Sequence, residues 1–79
     1  MYRIGDLVVS KSGRDKGRML VVTKVIDENY VLIADGDLRK IEKPKVKKVK
    51  HLSYAGTSEY NEDITNSQLR KMLKKDSES

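Results

Sequence analysis

Apolar runs alternate with short clusters of turn-forming residues along the first half of the chain. Leu7–Val9 is a short apolar run that ends at the turn residues Ser10–Gly13. Met19–Ile26 is the longest β-branched and apolar stretch, and Tyr30–Ala34 follows it after the turn residues Asp27–Asn29. This pattern predicts three strands, of which the last two form a hairpin.

A fourth strand is predicted at Leu38–Glu42, because the Asp-Gly pair within Asp35–Asp37 is a strong hairpin signal. Pro44 has no backbone donor, so it should mark an edge or the end of that strand. Apolar residues then recur at every third position among lysines, at Val46, Val49 and Leu52. This spacing suits either a final short strand or a single helical turn. We expect the apolar side chains to pack on the core and the lysines to point outward.

Short strands at regular intervals, with no helix between them, predict an all-β fold built as a small antiparallel barrel. Closing the sheet into a barrel also removes exposed strand edges. We assign residues 1–55 to this barrel.

The pattern changes in the last third of the chain. Ala55–Asp63 is polar and rich in turn residues, which indicates a linker. Ile64–Lys75 carries apolar residues at helical spacing, namely Leu69, Met72 and Leu73. Either Thr65 or Asn66 can cap the start of this helix. A helix of this length is marginal alone, so residues 56–79 are predicted as a linker with a short amphipathic helix or a disordered tail. The helix docks on the barrel, pairs with a partner protein or frays.

The composition narrows the classes of function. The 79-residue chain has no cysteine and only one histidine, His51, which argues against a metal site. No phosphate-cradling or nucleophile motif and no paired-carboxylate site is visible, so we expect no catalytic residues, no cofactor and no enzymatic activity. No apolar run approaches the ~20 residues that span a bilayer, and the first residues lack the apolar stretch of a secretory signal. These features predict a monomeric, cytoplasmic protein without a membrane partner.

Positive charge is concentrated in the predicted barrel. The chain holds 17 Lys and Arg against 12 Asp and Glu, a net charge of +5. Residues 1–56 carry a net charge of +6, and residues 57–79 carry −1. Clustered cations on a small domain are typical of proteins that bind a polyanion, although a solvated basic surface would look the same.

One cluster of cations lies in the loop between the first two predicted strands. Its two glycines permit positive φ and a close approach of the backbone to a ligand, and Asp15 is its only acid. Exposed amides beside the cations can donate to phosphate oxygens. The candidate RNA-binding residues here are Lys11, Ser12, Gly13, Arg14, Asp15, Lys16, Gly17 and Arg18. Basic, glycine-rich turns also join hairpins that bind nothing.

A second cluster of cations extends from Arg39 to His51 and holds seven Lys and Arg against Glu42. Lysine is a mobile point charge, so this run favours phosphate contacts with little discrimination between bases. The candidate RNA-binding residues here are Arg39, Lys40, Lys43, Lys45, Lys47, Lys48, Lys50 and His51. The alternative is an edge strand that is protected by its charge.

The loop and its flanking strands resemble the KOW motif of ribosomal and transcription proteins. The matching residues are Gly5-Asp6, Val8-Val9, Ser12-Gly13, Asp15-Lys16-Gly17 and Leu20-Val21-Val22. The longer run SGRDKGRMLVVTKVIDENYVLIADG, with Lys50-His51-Leu52 after it, is similar to archaeal and eukaryotic large-subunit ribosomal proteins of the fourteen-e type. The six-e and twenty-seven-e types are more distant relatives of the pattern. The resemblance covers residues 4–54, and the short tail makes the chain look like a compact bacterial stand-alone form.

The resemblance implies an SH3-like barrel that contacts structured RNA, in particular ribosomal RNA, through the loop and the neighbouring basic surface. The expected partner is therefore RNA or the ribosome, in a ribonucleoprotein with a role in translation. The alternative is a protein-interaction module of a transcription or translation complex. In that case the segment Ile64–Lys75 would be the surface that meets a protein partner.

Overall fold

The computed structural model describes residues 1–78, and the side chains of residues 1–76. It contains five strands, one short 3-10 turn and one helix. In chain order they are β1 (Asp6–Ser10), β2 (Met19–Val25), β3 (Tyr30–Ala34), β4 (Lys45–Lys48), the 3-10 turn (Val49–His51), β5 (Leu52–Thr57) and α1 (Asn66–Glu78). The predicted strands at Leu7–Val9, Met19–Ile26 and Tyr30–Ala34 are confirmed to within one or two residues at their ends.

The five strands form one antiparallel sheet in the order β4-β3-β2-β1-β5. A first core cluster lies on one face of this sheet and consists of Val8, Leu20, Val22, Val31, Ile33 and Leu52. Val49 of the 3-10 turn packs against this cluster, where the turn connects the two edge strands β4 and β5. The fold is therefore mostly β, as predicted, with its main core on one face of the sheet.

A second core cluster explains the position of the helix. Leu7, Val21 and Ala34 are paired in register across β1, β2 and β3, and Leu69 and Leu73 of α1 pack on this row. All five side chains are buried. Because the apolar face of the helix covers apolar sheet surface, α1 docks on the sheet, which decides between the three outcomes left open by its sequence.

Thr65 caps the start of the helix. Its hydroxyl accepts a hydrogen bond from the Gln68 amide at 3.1 Å, and the Gln68 side chain accepts one from the Thr65 amide at 2.9 Å. This reciprocal pair satisfies two amides that a helix start leaves without partners. Asn66 has a different task, because its side chain accepts a hydrogen bond from the Ile41 amide at 2.8 Å. The helix start is thereby tied to the chain between β3 and β4.

The predicted strand at Leu38–Glu42 is wrong, since these residues form a compact loop before β4. The Asp35 carboxylate accepts hydrogen bonds from the amides of Asp37 and Arg39, both at 2.9 Å. The Arg39 carbonyl in turn accepts from the amides of Asp35 and Gly36. These local bonds compete with strand pairing, and Pro44 then precedes the fourth strand instead of ending it.

The expected orientation of side chains in the lysine segment is also wrong at two positions. Val46 is 52% exposed, whereas Lys47 is only 8% exposed. The cause is the alternation of side chains along a strand: Lys45 and Lys47 pair with Ile33 and Val31, which belong to the first core cluster. Val49 and Leu52 do pack on the core, and the segment forms both a short strand and a helical turn.

No helix in the described part of the chain is both long and apolar enough to cross a lipid bilayer.

Candidate nucleic-acid interface

The loop between β1 and β2 is a tight turn held by its own backbone. Gly13 and Gly17 have φ values of +77° and +84°, which favour glycine. The Gly17 amide donates to the Ser10 carbonyl at 2.8 Å, and the Arg18 amide donates to the Asp15 carbonyl at 2.8 Å. The Ser10 hydroxyl also donates to the Ser12 carbonyl at 2.9 Å. The loop is thus an ordered turn, in which several amides are already used and do not face a ligand.

Asp15 joins the loop to the second cationic segment. Its side chain is 1% exposed, and one carboxylate oxygen lies 3.3 Å from Arg39 Nε and 3.4 Å from Lys45 Nζ. Burial by itself raises the pKa of this carboxyl, but the charges and hydrogen bonds of Arg39 and Lys45 outweigh it and lower the pKa below its ordinary value. Asp15 is therefore an ionised anchor inside the basic surface, and its carboxylate is not placed to touch a phosphate.

Two further hydrogen bonds join the loop between β1 and β2 to the second cationic segment. Lys47 Nζ donates to the Ser12 carbonyl at 3.0 Å, with the aliphatic stem of the lysine buried beneath it. The Lys11 amide donates to the His51 carbonyl at 2.8 Å, which places the 3-10 turn beside the loop. The loop, the start of β4 and the 3-10 turn consequently form one continuous surface.

Arg18 lies on a different side of the loop from these contacts. Its guanidinium donates to the buried carboxylate of Asp35 at 2.8 Å, and a weaker contact of 3.9 Å joins it to Asp37. Asp35 is 4% exposed and also organises the loop before β4. The ion pair therefore stabilises the fold, and only part of the Arg18 guanidinium remains accessible to a ligand.

Six cations of the two cationic segments are exposed, and we call them the basic face: Lys11, Arg14, Lys16, Lys40, Lys43 and Lys50. Among the side chains of residues 1–76, they make no ion pair, and the one hydrogen bond among them is a long contact of 3.5 Å from Lys40 Nζ to the Gly36 carbonyl. A cation without a protein partner keeps its full charge for a ligand. The basic face is thus a group of solvated cations held by an internal scaffold.

The structure divides the sixteen candidate residues into three groups. The six members of the basic face are available to a ligand, and Gly13 and Gly17 are exposed, but the Gly17 amide is already bonded to the Ser10 carbonyl. Lys48 and His51 are half-buried, and Lys48 Nζ lies 5.8 Å from the centre of the Tyr30 ring. The others form the scaffold: Ser12, Asp15, Arg18, Arg39, Lys45 and Lys47.

Asp35 is a scaffold residue that sequence reasoning did not single out. Its signal in the sequence is the Asp-Gly pair, which indicates a turn but says nothing about the arginine that lies 17 positions earlier. Asp15 has a clearer signal, because a lone acid among four cations is poorly suited to binding an anion. A structural role for Asp15 can be suspected on that ground.

Within the described residues, no group of three His, Asp or Glu side chains is arranged to hold a metal ion. No model of a known protein family matches this chain.

Proposed function

We propose that this protein is a non-enzymatic RNA-binding domain that grips the backbone of structured RNA and recognises its shape rather than its base sequence. In this proposal the five-stranded sheet is an SH3-like barrel of the KOW type, in the compact bacterial form, and ribosomal RNA is the expected class of target. The observation that carries the proposal is the basic face, in which two cationic segments far apart in sequence form one surface.

The proposed mechanism is electrostatic docking. Lysines and arginines of the basic face approach phosphates and release condensed counterions, which makes affinity strongly dependent on salt. The scaffold ion pairs of Asp15 hold the two segments together, so the backbone positions that carry the exposed cations keep a defined spacing. A fixed spacing matches the phosphates of a folded RNA better than a flexible basic tail would, because less side-chain and loop entropy is lost on binding.

The position of helix α1 argues against the alternative function, a protein-interaction module that meets its partner through this segment. Leu69 and Leu73 are buried against the sheet, so the apolar face of α1 is not available to a protein partner in this conformation. Removing residues 57–79 would also uncover Leu7, Val21 and Ala34. A truncated chain would therefore lose part of its core, and point substitutions separate the two functions more cleanly than deletion.

The test neutralises three members of the basic face in the loop, with Lys11→Gln, Arg14→Gln and Lys16→Gln combined. Arg18 is left intact because its ion pair with Asp35 supports the fold. Binding of a labelled RNA stem-loop is followed by fluorescence anisotropy across a series of KCl concentrations. We expect affinity to fall by on the order of 10- to 100-fold at low salt and the slope of log K against log salt to shrink by about 2.

The matched control is Lys24→Gln, Lys71→Gln and Lys75→Gln, three exposed lysines outside the basic face. This variant has the same net charge as the test variant, so a general loss of attraction would affect both equally. We expect the control to retain most of its affinity and salt slope. Equal losses in the two variants would contradict a localised RNA site, and equal binding of a DNA duplex would contradict a preference for RNA.

A further inference from the structure

A cavity of about 470 Å³ opens at the end of the sheet where β1 begins, and the basic loop follows the other end of that strand. Its walls come from the first residues of the chain, the turn between β2 and β3, the 3-10 turn and β5. None of its lining residues belongs to the basic face. The cavity is therefore a separate candidate site.

Two tyrosines form an aromatic wall of this cavity. The rings of Tyr2 and Tyr54 have centroids 6.2 Å apart and planes tilted by 41°. Tyr54 is 59% exposed, although its partner across the strand pair is the fully buried Val8. Tyr2 packs against the first core cluster, which holds its ring in place. An anchored ring beside an exposed ring offers two π-faces to a guest.

The charge of this cavity is opposite to that of the protein. Three carboxylates, those of Asp6, Asp27 and Glu28, line it against two cations, the Arg3 guanidinium and the amino-terminal ammonium of Met1, in a chain with a net charge of +5. One Asp6 oxygen accepts from the Arg3 amide at 2.8 Å. One Asp27 oxygen accepts from the amides of Asn29 and Tyr30, which fixes the acidic turn at the rim. Neither Asp27 nor Glu28 forms an ion pair with any side chain that the structure describes, those of residues 1–76.

We propose that this cavity binds the side chain of an arginine or a lysine presented by a basic segment of a partner protein. A cation is attracted to the face of an aromatic ring, and the carboxylates of Asp27 and Glu28 add attraction from the rim. The aliphatic stem of such a side chain packs against Val49, which lines the cavity and is half-buried. Aromatic faces, an anionic rim and an apolar floor together match this amphipathic cation.

A nucleobase fits this cavity less well. Aromatic rings also stack on bases, but each nucleotide brings a phosphate, which the three carboxylates would repel. The protein would thus use two surfaces of opposite charge. Phosphate would bind at the basic face, and a cationic peptide would bind at the acidic, aromatic cavity. This inference does not depend on the proposed RNA function.

The test uses capped, glycine-rich peptides that differ only at one central residue, which is arginine, lysine or norleucine. Each peptide is titrated into the full chain labelled with ¹⁵N, and amide shifts are followed by NMR. We expect the arginine and lysine peptides to shift the amides of Tyr2, Glu28 and Tyr54, while norleucine does not. Tyr54→Ala is expected to weaken binding of the arginine peptide by roughly 2- to 30-fold, as loss of a cation–π contact implies.

A second variant, Asp27→Asn with Glu28→Gln, removes the rim charge, while the asparagine introduced by the first change keeps an oxygen that can accept from the amides of the turn. It is expected to weaken binding of the cationic peptides and to leave the backbone spectrum intact. Equal binding of norleucine, or unchanged affinity in both variants, would overturn the proposal. Shifts at Tyr54 caused by a single-stranded oligonucleotide in place of the peptide would also overturn it. RNA stem-loop affinity should be unchanged in Tyr54→Ala, so the two functions fail or succeed separately.

Discussion

Replacing Gly36 with alanine is expected to destabilise the fold by about 3 kcal/mol or more, through two effects that act at one position. Gly36 has a φ of +78°, and forcing an alanine into that region costs about 1–2 kcal/mol. A Cβ at this position would also overlap the carbonyl oxygen of Asn66 at the start of α1. The helix would have to move away from the loop that holds it, and tightly packed elements absorb such shifts poorly.

The displacement would disturb contacts around the helix start. The Gly36 carbonyl accepts a hydrogen bond from Arg70 Nη1 at 2.6 Å, and the Asn66 side chain accepts one from the Ile41 amide. Urea unfolding followed by circular dichroism gives the change in the free energy of unfolding. A fall in helical signal before the main transition would show that α1 is the element displaced.

Gly17→Ala is the matched control. Gly17 has a similar φ of +84°, but a Cβ there meets no atom within 4 Å. This variant isolates the backbone effect, so its free energy of unfolding should fall by about 1–2 kcal/mol. If Gly36→Ala lost no more stability than Gly17→Ala, the close contact between the loop and the helix would not be what requires glycine at position 36.

Replacing Asp15 with asparagine is expected to destabilise the protein by about 2–3 kcal/mol, because the carboxylate is buried and hydrogen bonds to charged groups contribute about 1.5–3 kcal/mol. Without its charge, Arg39 and Lys45 repel each other with no anion between them. Their partial exposure allows some solvation, which keeps the loss below that of a fully buried pair. Urea unfolding at neutral pH measures this loss.

The stability of the same variant should depend on pH differently from that of the unaltered chain. Because Arg39 and Lys45 lower the pKa of Asp15 in the folded state, the stabilisation is fully present above the unfolded pKa of about 3.9. It is lost as the pH falls from there through the lowered folded pKa. Denaturation at a series of pH values should therefore show a smaller loss of stability below about pH 4 in Asp15→Asn than in the unaltered chain.

Asp63→Asn serves as the comparison for charge. Asp63 is exposed, and its carboxylate makes no ion pair with the described side chains of residues 1–76. The same change in net charge there should alter stability by less than about 0.5 kcal/mol. Should the two variants behave alike at neutral and acid pH, the Asp15 ion pairs would not hold the loop to β4.

Elements that depend on local pattern were predictable from the sequence. The apolar runs of β1, β2 and β3 and the turns between them follow from residues that are neighbours in the chain. The sequence limits the start of the helix to Thr65 or Asn66, because a cap uses side chains within one turn. The prediction of a strand at Leu38–Glu42 also used local pattern and was wrong, since the local hydrogen bonds of Asp35 outweighed the hairpin signal.

The positions of the cation clusters and of the strand-forming apolar runs can be inferred from the amino-acid sequence, because charge and periodicity are properties of nearby residues. Which cations are available to a ligand depends instead on how the chain folds. Asp15 meets its partners 24 and 30 positions later, and Lys47 reaches back 35 positions to Ser12. Such pairings depend on strand order and register, which bring distant residues together and turn part of each basic segment into scaffold and the rest into exposed surface.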